Sequence, residues 1–266
     1  MSYREILYEQ DGHVLTITLN RPEVMNALSM NTYREFEQAL DAANADESVR
    51  AIVITGAGRG FCSGDDVRQV MLAQEEVENR RLRRLRQTKA EPTPAAARLL
   101  TLDKPTIAAV NGPAMGWGMD LTLMCDIRIA SEKARFAMLY VLRGLVPDIG
   151  GIYCLPRIVG TARAYELLYT GEVIDAAEAL RIGLVSRVVP PESLLEEAQT
   201  LARRIADNPP LAVRRIKEGV RRGLGYDVQA LGEYVTSSLA VLFETEDHKE
   251  GANAFLEKRQ PVFRGR

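Results

Sequence analysis

Apolar and polar positions follow two different periods along this chain, and the switches between them outline its elements. Ile6 to Glu9 and Val14 to Leu19 read as two strands joined through Gln10-Asp11-Gly12, where Asp-Gly is a strong hairpin-turn signal. In the second strand Leu15, Ile17 and Leu19 alternate with threonines, the pattern of a half-buried strand. After Ser29 the period lengthens, and Tyr33, Phe36, Ala39, Leu40 and Ala43 predict a helix. The apolar run Ala51 to Gly56 predicts another strand. It is followed by a strand over Thr106 to Val110, a helix from about Gly118, and a strand over Ile127 to Ala130. Strands interleaved with helices imply an α/β fold with crossover connections.

Beyond Ile149 the pattern becomes almost wholly helical apart from Leu184 to Val189, with helices expected over Glu192 to Ala206, Pro210 to Arg222 and Val228 to Phe243. Pro190-Pro191 and Pro209-Pro210 separate them. The expected organisation is an α/β core over 1–190 and a helical C-terminal region over 191–266. Val67 to Ala97 is less regular. Its basic run Arg80, Arg81, Arg83, Arg84, Arg86 and Lys89 follows Glu75, Glu76 and Glu78, which favours a solvated helix face over an anion contact.

Composition narrows the function. With 266 residues, 46% hydrophobic and 26% charged, the chain has the balance of a globular protein with a real core. A net charge of −2 gives no footprint for nucleic acid. The longest uncharged run, Pro105 to Met119, is too short to span a bilayer, and the N-terminus lacks a signal-peptide layout. The three cysteines Cys62, Cys125 and Cys154 form no disulfide or metal-ligand spacing. The only histidines, His13 and His248, stand in no cluster. The expectation is a cytoplasmic protein with no metal and no membrane anchor.

Two glycine-bearing turns follow apolar strands: Gly56-Ala57-Gly58-Arg59-Gly60-Phe61-Cys62-Ser63-Gly64-Asp65-Asp66, and Asn111-Gly112-Pro113-Ala114-Met115-Gly116-Trp117-Gly118-Met119-Asp120. The first lacks the spacing of a dinucleotide or phosphate loop. They are either tight turns only, or a pair of turns whose unpaired backbone amides converge on a substrate oxygen. Asp120 and Asp148 are the candidate carboxylates. Each also has a structural reading, Asp120 as a first-turn aspartate and Asp148 as a helix N-cap.

Arg21-Pro22-Glu23-Val24-Met25-Asn26-Ala27-Leu28, Phe61-Cys62-Ser63-Gly64-Asp65-Asp66, Asn111-Gly112-Pro113-Ala114 and Cys125-Asp126-Ile127 resemble the crotonase (enoyl-CoA hydratase/isomerase) superfamily. Leu168-Tyr169-Thr170-Gly171 and the tail Glu250 to Arg259 are similar too, so the resemblance covers nearly the whole chain. It implies a spiral of ββα repeats with a helical C-terminal trimerisation region, a homotrimer or dimer of trimers, and an acyl-CoA thioester substrate. No separate cofactor is implied, because CoA belongs to the substrate. Carried over by position, the amides of Ser63 and Trp117 would form the oxyanion hole, with Gly64, Asp65, Asp66 and Tyr140 also around the substrate.

The two hydratase glutamates fall on Asp120 and Tyr140. A tyrosine is a poor general base at neutral pH. The resemblance therefore implies a modest place for Tyr140, as a pocket wall contributing its ring and one hydroxyl. The context Gly144-Leu145-Val146-Pro147-Asp148-Ile149-Gly150-Gly151 is similar to the ring-epoxide and enoyl-CoA isomerases of phenylacetyl-CoA degradation. Asp148 is thus expected to be the proton-transfer residue of a double-bond isomerase, with Asp120 assisting. The alternative is an atypical hydratase or hydrolase holding water between Asp120 and Asp148. Trp117 either narrows the acyl pocket or fills core space, and Cys62 is expected to be a packed thiol.

Overall fold

The computed structural model describes residues 3–71 and 92–266. The basic run Arg80 to Lys89 and its acidic neighbours lie outside the described residues. Six strands, β1 (Ile6–Asp11), β2 (Val14–Leu19), β3 (Ala51–Gly56), β4 (Thr106–Val110), β6 (Ile127–Ser131) and β9 (Arg187–Val189), form one sheet in the order β1-β2-β3-β4-β6-β9. Only β1 and β2 pair antiparallel, through the Asp11–Gly12 hairpin, where Gly12 takes the left-handed φ of +56°. Every other neighbour is parallel, as crossover connections require.

The period-two alternation of these strands sorts their side chains into two cores. Leu15, Ile17, Leu19, Ile52, Ile54, Ala108 and Val110 enter one, with Phe36 and Leu40 of the helix Met30–Ala45. Val14, Ala51, Val53, Ile107, Ala109 and Ile129 enter the other. That second face is covered by the helix Leu194–Ala206, which lays Leu194, Ala198, Ala202 and Ala206 on it at four-residue spacing. Small alanines let the helix approach closely. β2 is therefore covered on both faces and not half-buried: Thr16 is 5% exposed, and Gln199 Nε2 of the covering helix donates to its hydroxyl at 3.2 Å. The first helix of the expected C-terminal region thus packs directly on the α/β sheet.

The helix Met30–Ala45 starts where expected, because Ser29 caps it. The Ser29 hydroxyl accepts the Asn31 and Thr32 amides, and Thr32 returns the contact to the Ser29 amide. A second, smaller sheet joins β5 (Pro113–Met115), β7 (Arg135–Ala137) and β8 (Ile174–Asp175) in the order β5-β7-β8. Three residues or fewer show no measurable period, so the sequence pattern missed all three strands. This small sheet carries the second glycine turn. The C-terminal helices Pro210–Gly223, Val228–Phe243 and Glu246–Glu257 complete the chain.

Candidate active site

The two glycine turns lie side by side. The Phe61 and Cys62 amides donate to the Pro113 carbonyl at 3.1 Å, and the Met115 amide donates to the Cys62 carbonyl at 2.9 Å. Glycine is required where they meet. A Cβ on Gly118 would come 2.2 Å from the Cys62 carbonyl oxygen, and one on Gly64 would come 2.9 Å from the Met115 oxygen. Gly64 also needs its φ of +92°. The Gly116 amide donates to the Ala137 carbonyl, which fixes the start of the helix Trp117–Met124 against β7.

The amides of these turns have different fates. The Ser63 amide donates to the Met25 carbonyl at 3.0 Å, so the oxyanion donor expected from the sequence is already engaged within the fold. Two residues on, the Asp65 amide has no protein acceptor among the described residues, and neither has the Trp117 amide in the first turn of its helix. The segment carrying Asp65 is pinned by Leu28, whose amide donates to Gly64 and whose carbonyl accepts from Asp66. Asp66 itself is turned to Arg21 and to the Arg68 and Gln69 amides, and does not line the cavity.

A cavity of about 560 Å³ opens beside the free amides, walled by Tyr33, Asp65, Trp117, Tyr140, Pro147 and Asp148 among others. Trp117 both fills core space and shapes this wall. It is 4% exposed, packs edge-on to Tyr33 at 5.1 Å, and its indole N–H donates to Asp148 Oδ2 at 3.1 Å. Asp148 Oδ2 also accepts the Thr93 hydroxyl at 2.7 Å, and its Oδ1 accepts the Ile149 amide at 2.7 Å. All three partners are donors, so the carboxylate is held as an acceptor at the cavity wall. The N-cap reading is met in part. The Asp148 carbonyl opens the next helical turn through the Gly151 and Ile152 amides, while its side chain takes only the adjacent amide. Thr93 escaped the sequence reading. It stands immediately before Pro94 at the start of a helix, an N-cap position, yet its hydroxyl serves Asp148 and caps nothing.

Asp120 and Tyr140 meet behind that wall. Asp120 is fully buried; its Oδ2 accepts the Tyr140 hydroxyl at 2.5 Å and its Oδ1 accepts the Gly151 amide at 2.6 Å. Gly150 leaves no room for a side chain there, since its Cβ would lie 2.7 Å from Asp120 Oδ1. Burial pushes the Asp120 carboxyl up to about 7, against the lowering effect of its hydrogen bonds, and the Asp148 charge adds to the rise. Burial and then the Asp120 charge push the Tyr140 phenol well above its ordinary value. Asp65 is also raised, by burial first, with the Tyr33 hydroxyl at 2.6 Å opposing and the Asp148 charge reinforcing. Cys62 is fully buried, and burial pushes its thiol up to about 12, the behaviour of a packed side chain.

The Asp120 shift has a consequence for stability. An unfolded aspartate ionises near ~3.9, whereas the folded one ionises at about 7. Between these values the folded chain keeps a proton that the unfolded chain has released. The stabilisation from this site is therefore complete below the lower value and is lost as pH rises through the upper one. Asp120→Asn, neutral throughout, can keep the Gly151 contact and donate to the Tyr140 oxygen. Thermal melts at about pH 5 and about pH 8 should show a smaller loss of Tm with rising pH in the variant than in wild type. Equal pH slopes would contradict the assignment.

Sheet order, paired glycine turns and cavity together define a crotonase-type fold. The profile of the family described as enoyl-CoA hydratase/isomerase matches residues 9–266. The chain is 38% identical over 261 residues to the short-chain-enoyl-CoA hydratase of Clostridium acetobutylicum, covering 98% of this chain and 97% of that protein. It is 40% identical over 265 residues to the crotonyl-CoA hydratase of Syntrophomonas wolfei, covering 99% of each. The crystal structure of an enoyl-CoA hydratase from Bacillus anthracis superposes with a TM-score of 0.91 at 35% identity, over 99% of this chain and 100% of that one. The chain belongs to the enoyl-CoA hydratase/isomerase family.

Proposed function

We propose that this enzyme shifts the double bond of an enoyl-CoA, or of a ring-type acyl-CoA, by moving a proton through an enolate. The amides of Asp65 and Trp117 receive the thioester oxygen, and Asp148 is the base. The observation that carries this reading is Trp117 itself. Its backbone N–H is one of the free donors and its indole N–H holds Asp148, so one residue sets the distance between oxyanion donor and base. A proton beside a thioester carbonyl becomes removable when the charge developing on the oxygen is stabilised by donors already in place. Charge stabilised on oxygen and a base on one wall allow the proton removal that starts a double-bond shift, and Asp120, sealed behind Tyr140, does not present a second carboxylate to bound water. The aromatic and proline walls favour an uncharged acyl group. Incubation with a 3-enoyl-CoA should give the 2-enoyl isomer at unchanged mass. A product heavier by one water and no isomer would overturn the reading.

Hydration of a 2-enoyl-CoA is the second reading. It is favoured by the hydratase names carried by relatives 38%, 40% and 41% identical to this chain.

The enzyme is further proposed to work as a homotrimer or dimer of trimers in the cytoplasm. Support comes from the C-terminal helices, which leave Ile216, Val220, Val228, Phe243, Phe255 and Leu256 exposed. Sedimentation at micromolar concentration should show a species at least three times the 29.5 kDa chain mass. A 29.5 kDa species alone would refute it.

A further inference from the structure

We infer that Tyr140 hands the returning proton to the enolate and that Asp120, sealed behind it, reloads the phenol. The inference rests on the proposed proton transfer through Asp148 and adds to it the source of the second proton. Tyr140 lines the main cavity and also the smaller cleft, and Asp65 and Trp117, whose amides are free, line both with it. Asp120 lines neither. Its route to the cavity within the described residues is the Tyr140 oxygen at 2.5 Å, because its other oxygen is held by the Gly151 amide and Gly150 packs against it.

A phenol buried in this way is a poor acid by itself, since tyrosinate would lie among carboxylates. The transfer is therefore coupled. With Asp120 protonated, the 2.5 Å contact is made by the Asp120 O–H donating to the Tyr140 oxygen, and the phenol O–H turns to the cavity. As that phenol proton forms the new C–H bond, the Asp120 proton moves onto the Tyr140 oxygen, and no free tyrosinate is left. Atoms balance over the turn. One C–H bond breaks, its proton goes to the Asp148 carboxylate, and the electron pair moves to the thioester oxygen. The enolate then collapses and one C–H bond forms at the other carbon, with its proton taken from Tyr140. Asp148 ends protonated and Asp120 ionised, and exchange with water restores both. Burial supports this division of roles, because it keeps Asp120 protonated close to neutral pH. The groups facing the pair are Asp65, Asp148, Tyr33 and Cys154, with Arg143 at the smaller cleft.

The test separates proton removal from proton return. Wild type, Tyr140→Phe, Asp120→Asn and Asp148→Asn are each incubated with a 3-enoyl-CoA in deuterated buffer. Solvent exchange into remaining substrate and formation of the isomer are measured across about pH 5 to 9. Tyr140→Phe should lower isomer formation about 10²-fold or more while exchange into substrate stays measurable, since Asp148 still removes and returns its proton. Asp120→Asn should show the same split in weaker form, and should lose the fall in isomer formation that wild type shows above about pH 7. Tyr140→Phe with isomer formation close to wild type would overturn the inference, as would an Asp120→Asn pH profile identical to wild type. Should Tyr140→Phe fail to fold, Asp120→Asn with its pH profile decides alone. Failure of the underlying reading looks different: Asp148→Asn would then retain both exchange and isomer formation.

Discussion

Asp148→Asn should lower isomer formation by roughly 10²–10⁴, the range expected when a positioned general base is removed. The variant keeps the side-chain shape, but it is not silent structurally. Asp148 accepts three donors, the Thr93 hydroxyl, the Trp117 indole N–H and the Ile149 amide. An asparagine offers one carbonyl oxygen. Whichever way its amide turns, its NH₂ faces either the indole N–H or the Ile149 N–H, and one donor loses its acceptor. That costs about 1–3 kcal/mol, enough to lower Tm measurably but far too little to empty the folded state during an assay. A melt and a rate on the same preparation therefore separate the two effects. A folded variant with full turnover would reduce Asp148 to a structural anchor.

The second large effect is expected at the contact between the glycine turns. A methyl group on Gly118 would lie 2.2 Å from the Cys62 oxygen and 2.8 Å from its carbonyl carbon. These are backbone atoms, so no side-chain rotation relieves the clash and the two turns must separate. The Trp117 amide precedes Gly118 directly and the Asp65 amide follows the Cys62 segment closely, so separation spoils the aim of both donors. Losing one such donor costs about 10²–10³ in rate, and overpacking of this kind costs about 1–3 kcal/mol in stability. Gly118→Ala should show both losses. Gly225→Ala, where an added Cβ meets nothing within 4 Å, should show neither. Wild-type activity in Gly118→Ala would mean that the turns do not bind the reacting oxygen.

Much of this architecture is legible in the sequence because it depends on local pattern. β2, β3 and β4 stand where alternation and apolar runs put them, and the first long helix begins after Ser29 as expected. The second sheet was not legible, since β5, β7 and β8 are too short to carry a period. At the site, residue type marked the glycine turns, Asp120 and Asp148, and positional resemblance selected Tyr140 and the Trp117 amide. The distinction between Ser63 and Asp65 depends on the Met25 carbonyl, which reaches the Ser63 amide only once the chain has folded back. Thr93 and Tyr33 were hidden for the same reason: their hydroxyls serve Asp148 and Asp65, partners distant in sequence. The Tyr140–Asp120 bond changes the reading of Tyr140 from a wall to a group tied to a buried carboxyl.

The most direct test of the central claim compares two rates of the wild-type enzyme in one assay. A 3-enoyl-CoA and the matching 2-enoyl-CoA are supplied separately at equal concentration, and mass and double-bond position are followed together. Proton transfer through Asp148 predicts that the 3-enoyl double bond shifts faster than the 2-enoyl substrate gains water. Hydration of the 2-enoyl-CoA outrunning the shift would contradict it and establish the hydratase reading instead.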